Sequence, residues 1–101
     1  MNSPIFTVTS VQESNKHEGS ESSRCWGWYP TYKDASEAVK LNDGDMHECS
    51  YTYIVIERIP WGTLGSSYPN YKIMQWFKWK NNKWKKCKPP KWSNCVIGWA
   101  F

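Results

Sequence analysis

The last 44 residues of this 101-residue chain contain no aspartate or glutamate. Residues 58–101 hold nine lysines and arginines, whereas residues 1–57 hold all nine acids and only four bases. The second part therefore carries nine formal positive charges without an internal counter-ion, and the first part carries a net charge of −5. Charge of one sign attracts partners of the opposite sign and speeds their arrival. This distribution favours an anionic partner.

Long apolar runs are missing as well. No segment approaches the roughly 20 apolar residues that a membrane-spanning helix needs, so the sequence predicts no membrane partner. Residues 1–11 have neither a basic start nor a long apolar centre, so we expect no secretory signal. With a mass of 11.9 kDa, the chain suits one compact domain over residues 1–101.

The usual signatures of metal and catalytic sites are also missing. Four cysteines occur without a two-residue spacing: Cys25, Cys49, Cys87 and Cys95. We expect reduced thiols that are mostly buried. Zinc held by His47 and Cys49 is the alternative, although ligands one residue apart fit structural zinc poorly. No nucleophile elbow, metal box or carboxylate pair frames His17 or His47, so we predict neither an enzyme nor a cofactor.

The local patterns predict an α+β fold, an antiparallel sheet of about five strands with one helix packed on a face. Strands are expected over residues 5–11, 24–29, 51–59, 72–80 and 83–87. The 51–59 strand has a continuous apolar centre, which predicts a central position with both faces covered. We expect a flexible loop over 12–23, a long loop over 61–70 and a final edge strand or cap over 95–101.

Turn and cap residues predict where elements begin and end. Thr31 is placed to cap a helix, with Asp34 in its first turn. The buried stripe of that helix is predicted to contain Ala35, Ala38, Val39 and Asn42. Gly44 is a candidate for the left-handed position after the helix. Asn81 and Asn82 predict a tight hairpin, since asparagine tolerates positive φ.

Strand alternation predicts which side chains share a face. In the 24–29 strand we expect one face to carry Arg24, Trp26 and Trp28. In the 72–80 strand we expect one face to carry Lys72, Met74, Trp76, Lys78 and Lys80. The other face of that strand is expected to carry Ile73, Gln75, Phe77 and Trp79.

Eight tryptophans are the most unusual part of the composition. A small core cannot enclose them all, and exposed apolar faces often mark binding surfaces. Aromatic faces stack on nucleobases and lysines pair with phosphates. The predicted ligand-binding residues combine both types: Arg24, Trp26, Trp28, Arg58, Trp61, Trp76, Lys78, Lys80 and Trp84. The alternative is that the tryptophans form the core, the lysines are the solvated face of an edge hairpin that they protect from sheet pairing, and Arg24 is a solvated residue at a strand end.

A longer pattern carries a family resemblance. It comprises Arg24-Cys25-Trp26-Gly27-Trp28-Tyr29-Pro30-Thr31-Tyr32, Asp45-Met46-His47-Glu48, Val55-Ile56-Glu57 and Trp76-Phe77-Lys78-Trp79, with Ala35, Ala38, Val39, Asn42 and Tyr53 between them. Over roughly residues 24–85 the chain resembles a family of small uncharacterised proteins from phages and gut bacteria. The resemblance implies no catalytic residue in this chain. The resemblance implies a phage or mobile-element protein that acts in the bacterial host cytoplasm.

Together these observations predict a binding protein that sequesters an anionic nucleotide-type immune signal, such as a cyclic oligonucleotide. By analogy of context and size, such a protein would counter bacterial defence. A site shared between subunits encloses more of a small ligand, so we expect a homo-oligomer. The alternatives are an inhibitor that docks on a host defence nuclease, as an anti-CRISPR protein would, and a single-stranded nucleic-acid binder.

Overall fold

The computed structural model describes residues 3–13, 20–42, 44, 46–47, 51–60 and 72–90. Within these residues the elements are β1 (Ile5–Glu13), β2 (Ser20–Tyr29), α1 (Tyr32–Lys40), β3 (Tyr53–Ile59), β4 (Lys72–Lys80) and β5 (Lys83–Cys87). The strands form one sheet in the order β2-β1-β3-β4-β5, and every neighbouring pair is antiparallel. This confirms the predicted five-stranded antiparallel sheet with one helix. The predicted segments 61–70 and 95–101 lie outside the described residues.

Strand β3 occupies the middle of the sheet, as its apolar sequence predicted. Its residues from Tyr53 to Glu57 are all buried. Successive side chains of a strand point to opposite faces, so burial of the whole run means that both faces are enclosed at this strand. We name the two faces after neighbouring residues of β4, the Phe77 face and the Trp76 face.

Each face carries a core cluster of its own. The cluster on the Phe77 face joins Val8, Ala35, Ala38, Val39, Met46, Ile54, Ile56, Phe77 and Trp84. The cluster on the Trp76 face joins Val11, Tyr53, Val55 and Trp76, with Ile73 and Cys87 packed against it. Only the first cluster contains residues of α1.

The boundaries of α1 follow its capping chemistry. The Thr31 hydroxyl accepts a hydrogen bond from the Asp34 backbone N–H at 3.1 Å, which confirms the predicted N-cap. The helix ends at Lys40 with Leu41 as its C-cap, and the next residue, Asn42, has φ = 49°. Gly44 has φ = 71°, as predicted, but the left-handed residue directly after the C-cap is Asn42.

Strand β2 departs from the prediction in its start and in its faces. It begins at Ser20 instead of Arg24, because β1 continues to Glu13 and offers it a partner. The register shifts between Val8 and Thr9, so that Trp26 has no single partner on β1. This irregularity breaks the alternation: Trp26 packs on the Phe77-face cluster, whereas Trp28 pairs with Thr7 on the opposite face. The expectation that Arg24, Trp26 and Trp28 share one face is therefore wrong.

A second register shift alters the start of β4. It falls between Ile56 and Glu57, after which Glu57 pairs with Ile73. Ile73 therefore joins the cluster of Trp76 instead of the face of Phe77. The predicted alternation holds from Gln75 onward and fails before it.

The hairpin between β4 and β5 has the predicted two-residue turn. Asn81 and Asn82 have φ values of 55° and 63°, the left-handed conformation that the tightest hairpins require at both turn residues. Lys80 pairs with Lys83, and Trp79 pairs with Trp84. The turn thus determines which side chains of the two strands lie opposite each other.

Candidate functional site

Four exposed lysines lie in two rows on the Trp76 face of the hairpin. The register places Lys78 opposite Lys85 and Lys80 opposite Lys83. All four side chains are exposed. We call these four residues the lysine face. Lys78 and Lys80 were predicted from the sequence to bind ligand, whereas Lys83 and Lys85 were not. The Asn-Asn turn combined with strand alternation indicates that Lys83 lies opposite Lys80 and Lys85 opposite Lys78.

In each row, two positive charges lie directly opposite each other. Directly opposed residues of antiparallel strands have Cβ atoms about 5 Å apart, and like charges at that position destabilise the pair. No ion pair joins these lysines to a carboxylate in the described part of the chain. The lysine face is therefore a local concentration of positive charge that an anion would relieve.

Aromatic side chains lie beside the lysine face on the same side of the sheet. The Lys78 ammonium lies 5.6 Å from the centroid of the Tyr53 ring, within the range of a cation–π contact. Tyr53 in turn meets Trp76 edge to face, with centroids 6.1 Å apart. Trp76 is only 1% exposed. It was predicted to contact ligand, but its ring is buried in the core cluster of the Trp76 face.

Trp84, also predicted to contact ligand, lies on the Phe77 face and is 6% exposed. Its indole N–H donates to the Asn42 side-chain oxygen at 3.0 Å, and the same oxygen accepts the His47 backbone N–H at 3.1 Å. Trp79 packs edge to face on Trp84 at 5.1 Å and stacks on His47 at 4.2 Å. These contacts attach the hairpin to the segment that follows α1. The Asn42 side chain connects Trp84 of the hairpin with His47. From the sequence, Asn42 was expected in the buried stripe of the helix, and this contact was not predicted.

Arg24 and Trp26 form a separate pair on β2. The Arg24 guanidinium lies 4.1 Å from the Trp26 ring centroid, a cation–π geometry. The Trp26 indole N–H donates to the Ser10 hydroxyl at 2.7 Å, which holds the ring on the Phe77 face. A Cβ on Gly44 would meet the same ring at 3.6 Å. Ser10 and Gly44 are contacts that sequence patterns did not indicate.

The remaining predicted residues lie in other places. Trp28 is 68% exposed at the β2 edge of the Trp76 face. Arg58 is half-buried and pairs with Phe6 and Lys72 on either side. Trp61 lies outside the described residues.

The eight predicted residues that the structure describes therefore do not surround one pocket. Strands β2 and β5 are the two edges of this five-stranded sheet, and four strand spacings separate them by about 19 Å. Arg24, Trp26 and Trp28 belong to one edge, whereas Lys78 and Lys80 belong to the hairpin at the other. Among the described residues, only the lysine face brings several predicted and unpredicted cations together.

Cysteine chemistry contributes little to this surface. Cys25 and Cys87 are free and half-buried, so the two described thiols are less buried than expected. Burial raises the pKa of the Cys87 thiol, and the positive charge of Lys78 opposes that rise. Cys49 and Cys95 are not among the described residues. Within those residues, no group of three or more histidine, cysteine or acidic side chains is placed to hold a metal.

Comparisons with known proteins identified no relative of this chain. No protein-family model, no curated protein and no solved structure matches the chain. Across the described ranges, no helix has the length and apolar character needed to cross a membrane.

Proposed function

We propose that this protein is a non-catalytic binding protein that captures an anionic nucleotide-type ligand through phosphate contacts on the lysine face. The observation that carries the proposal is that two pairs of lysines lie directly opposite each other on β4 and β5. These pairs are Lys78 with Lys85 and Lys80 with Lys83. Each row holds two positive charges in a position where a sheet is more stable with opposite charges or neutral residues. Phosphate is a strong acceptor for ammonium groups and would offset this repulsion on binding.

The proposal places α1 against the Phe77 face of the sheet. Ala35, Ala38 and Val39 of the helix belong to the same buried cluster as Ile54 and Phe77. With the helix on that face, the lysine face lies on the opposite side of the hairpin. Ligand binding there would not require the helix to move.

The biological role that we propose is sequestration of a nucleotide immune signal by a phage or mobile-element protein in the bacterial host cytoplasm. The support for this context is the resemblance over residues 24–85, and the support for the ligand class is the lysine face. A sequestering protein needs binding without turnover. We further propose a homo-oligomer, since a site shared between copies would surround more of a small ligand.

A second candidate function, inhibition of a host defence nuclease by direct docking, is favoured by Trp28. Its indole is 68% exposed at the sheet edge far from the lysines. Exposed tryptophans are frequent anchors of protein interfaces. In that case Trp28→Ala would abolish capture of the host protein, while the variants of the lysine face would not.

The test is a thermal-shift screen against linear and cyclic nucleotides. A ligand at 100 times its Kd stabilises the folded state by about 2.7 kcal/mol, which raises the Tm of a domain of this size by several degrees. The variant Lys80→Ala/Lys83→Ala removes one row and should lose most of the shift.

The matched control is Lys33→Ala/Lys40→Ala, which removes the same charge from exposed positions of α1. This control should keep the shift. Equal losses in both double variants would mean that only net charge matters. Absence of a shift with every nucleotide would overturn the proposed function.

A further inference from the structure

The dimensions of the lysine face carry information about its ligand, given that it binds phosphate as proposed above. Along each strand, the two lysines are two residues apart, which is about 6.6 Å. Across the strands, opposed Cβ atoms are about 5 Å apart. The four lysines therefore form a two-by-two array, in which Lys78 and Lys85 make one row and Lys80 and Lys83 make the other.

Protection of a sheet edge does not explain this array. Charged residues on an edge strand prevent pairing with other sheets, and Lys83 and Lys85 lie on the edge strand β5. Lys78 and Lys80 lie on β4, which has a strand on each side. Lys78 pairs with Tyr53 of β3 as well as with Lys85 of β5, so at least this lysine of the array lies where no edge needs protection.

One phosphate does not match four ammonium groups. A phosphodiester carries a single negative charge, and even a terminal phosphate carries only about −1.5 to −2 near neutral pH. Drawing all four lysines to one phosphate would crowd four positive charges around at most two negative ones. One phosphate for each row balances the array better and keeps the strands at their normal spacing.

We propose that the ligand is a chain of at least two consecutive phosphodiesters, held by its backbone with one phosphate at each lysine row. Both cyclic oligonucleotides and linear single strands have this chemistry. The bound chain follows the direction of β4 and β5, because the two rows succeed each other along those strands.

In the described part of the chain, no exposed ring lies beside the array to select among bases. The rings next to the array on the same face, Tyr53 and Trp76, are buried, and Trp79 and Trp84 belong to the other face. Within the described residues, the exposed indole of Trp28 lies on the far edge of the sheet. The bases of the ligand therefore point away from the lysine face, and base identity has little effect on affinity.

The experiment compares four ligands by equilibrium binding at several salt concentrations. They are a single-stranded oligothymidylate, an abasic sugar–phosphate chain of the same length, thymidine monophosphate and a cyclic dinucleotide. We expect the two chains to bind within about threefold of each other and the monophosphate at least tenfold more weakly. The logarithm of the binding constant should fall with the logarithm of salt by about 0.7 for each phosphate neutralised on a single strand.

The cyclic dinucleotide separates the two sources of the chain. Affinity equal to that of the oligothymidylate means that two phosphodiesters suffice and that a small cyclic ligand fits. Weaker binding of the cyclic dinucleotide than of the oligothymidylate means that a longer nucleic-acid strand is bound. Both results support the backbone contact that we infer.

Two single-row variants complete the test, Lys78→Ala/Lys85→Ala and Lys80→Ala/Lys83→Ala. Each should reduce the salt slope by about 0.7, which is one phosphate contact, while circular dichroism reports an unchanged fold. Equal binding of the monophosphate and the chain would overturn the inference, as would loss of binding to the abasic chain alone. Failure of all four ligands to bind would instead overturn the proposed function itself.

Discussion

Lys78 and Lys85 lie directly opposite each other on β4 and β5, and both side chains are exposed. Two like charges in this position lower the stability of the hairpin. The first prediction is therefore that Lys85→Glu stabilises the folded protein by about 0.5 kcal/mol, because it creates a pair of opposite charges. Urea unfolding measures the change.

The same substitution should weaken phosphate binding, so stability and binding should move in opposite directions. Lys88→Glu is the control for stability, since Lys88 is exposed, carries the same charge and lies beyond the end of β5. Its effect on the unfolding free energy should be clearly smaller than that of Lys85→Glu, because Lys88 has no directly opposed residue on β4. If Lys85→Glu destabilises the protein, the opposed side chains do not repel each other as described.

Trp76 supplies the second prediction. It is 1% exposed and packs on Tyr53, so Trp76→Ala leaves a large cavity and should cost about 3–5 kcal/mol of unfolding free energy. Trp28→Ala is the matched variant, because Trp28 is 68% exposed and should change stability by less than about 0.5 kcal/mol. Urea unfolding of both variants gives the comparison. Similar stabilities of the two variants would contradict the burial of Trp76.

Asn42 combines two roles that substitutions can separate. Its side-chain oxygen accepts hydrogen bonds from Trp84 and from the His47 backbone, and its backbone is left-handed. Asn42→Gly keeps the conformation and loses the acceptor, leaving a mostly buried indole N–H without its partner at a cost of about 1–3 kcal/mol.

Asn42→Ala should cost about 1 kcal/mol more, because alanine resists the left-handed conformation. Chemical unfolding monitored by tryptophan fluorescence measures both variants. If alanine is tolerated as well as glycine, the backbone at this position is not left-handed.

Cys87 gives a pH-dependent prediction. Burial raises the pKa of its thiol above the ordinary value of 9.0, and the charge of Lys78 counteracts this rise. The folded state therefore keeps its proton when the unfolded state has begun to lose it. Stability from this group is complete below pH 9.0 and declines as the pH rises toward the higher folded pKa.

Two variants isolate this effect. Cys87→Ala should reduce the loss of unfolding free energy between pH 8 and pH 10, about the region of thiol titration. Lys78→Ala should raise the pKa of Cys87 further, so that alkylation of Cys87 at alkaline pH, followed by peptide mass mapping, becomes slower. Faster alkylation in Lys78→Ala would contradict the proposed influence of the lysine charge.

Local chemistry made part of the fold predictable. The N-cap at Thr31 and the turn at Asn81 and Asn82 each depend on a few adjacent residues whose conformational preferences are strong. The central position of β3 follows from its continuous apolar run. These features were predicted correctly from residue type and spacing alone.

The register shifts could not be predicted in this way. The irregularity near Trp26 arises where β1 and β2 pair, so it depends on the partner strand as well as on β2 itself. As a result, alternation placed Trp28 on the wrong face relative to Trp26. Register shifts change the face of every residue beyond them, which also explains the misplacement of Ile73.

Composition indicated that some tryptophans are exposed but could not say which. Trp28 is exposed whereas Trp76 and Trp84 are buried, although all three occur in alternating strand sequences. The difference comes from packing: Trp76 and Trp84 belong to core clusters on opposite faces of the sheet, whereas Trp28 belongs to neither cluster. Edge position alone does not decide it, since Trp84 lies on the edge strand β5. For the same reason, the candidate site consists of lysines and not of stacked rings.

The most direct test of the lysine face is an NMR titration of the lysine side chains with a short oligothymidylate. We predict that the ε-methylene signals of Lys78, Lys80, Lys83 and Lys85 shift together and saturate at one ligand concentration. Signals of Lys33 and Lys40 on α1 should remain in place. Shifts that spread evenly over all lysines, or that spare the hairpin, would contradict the account.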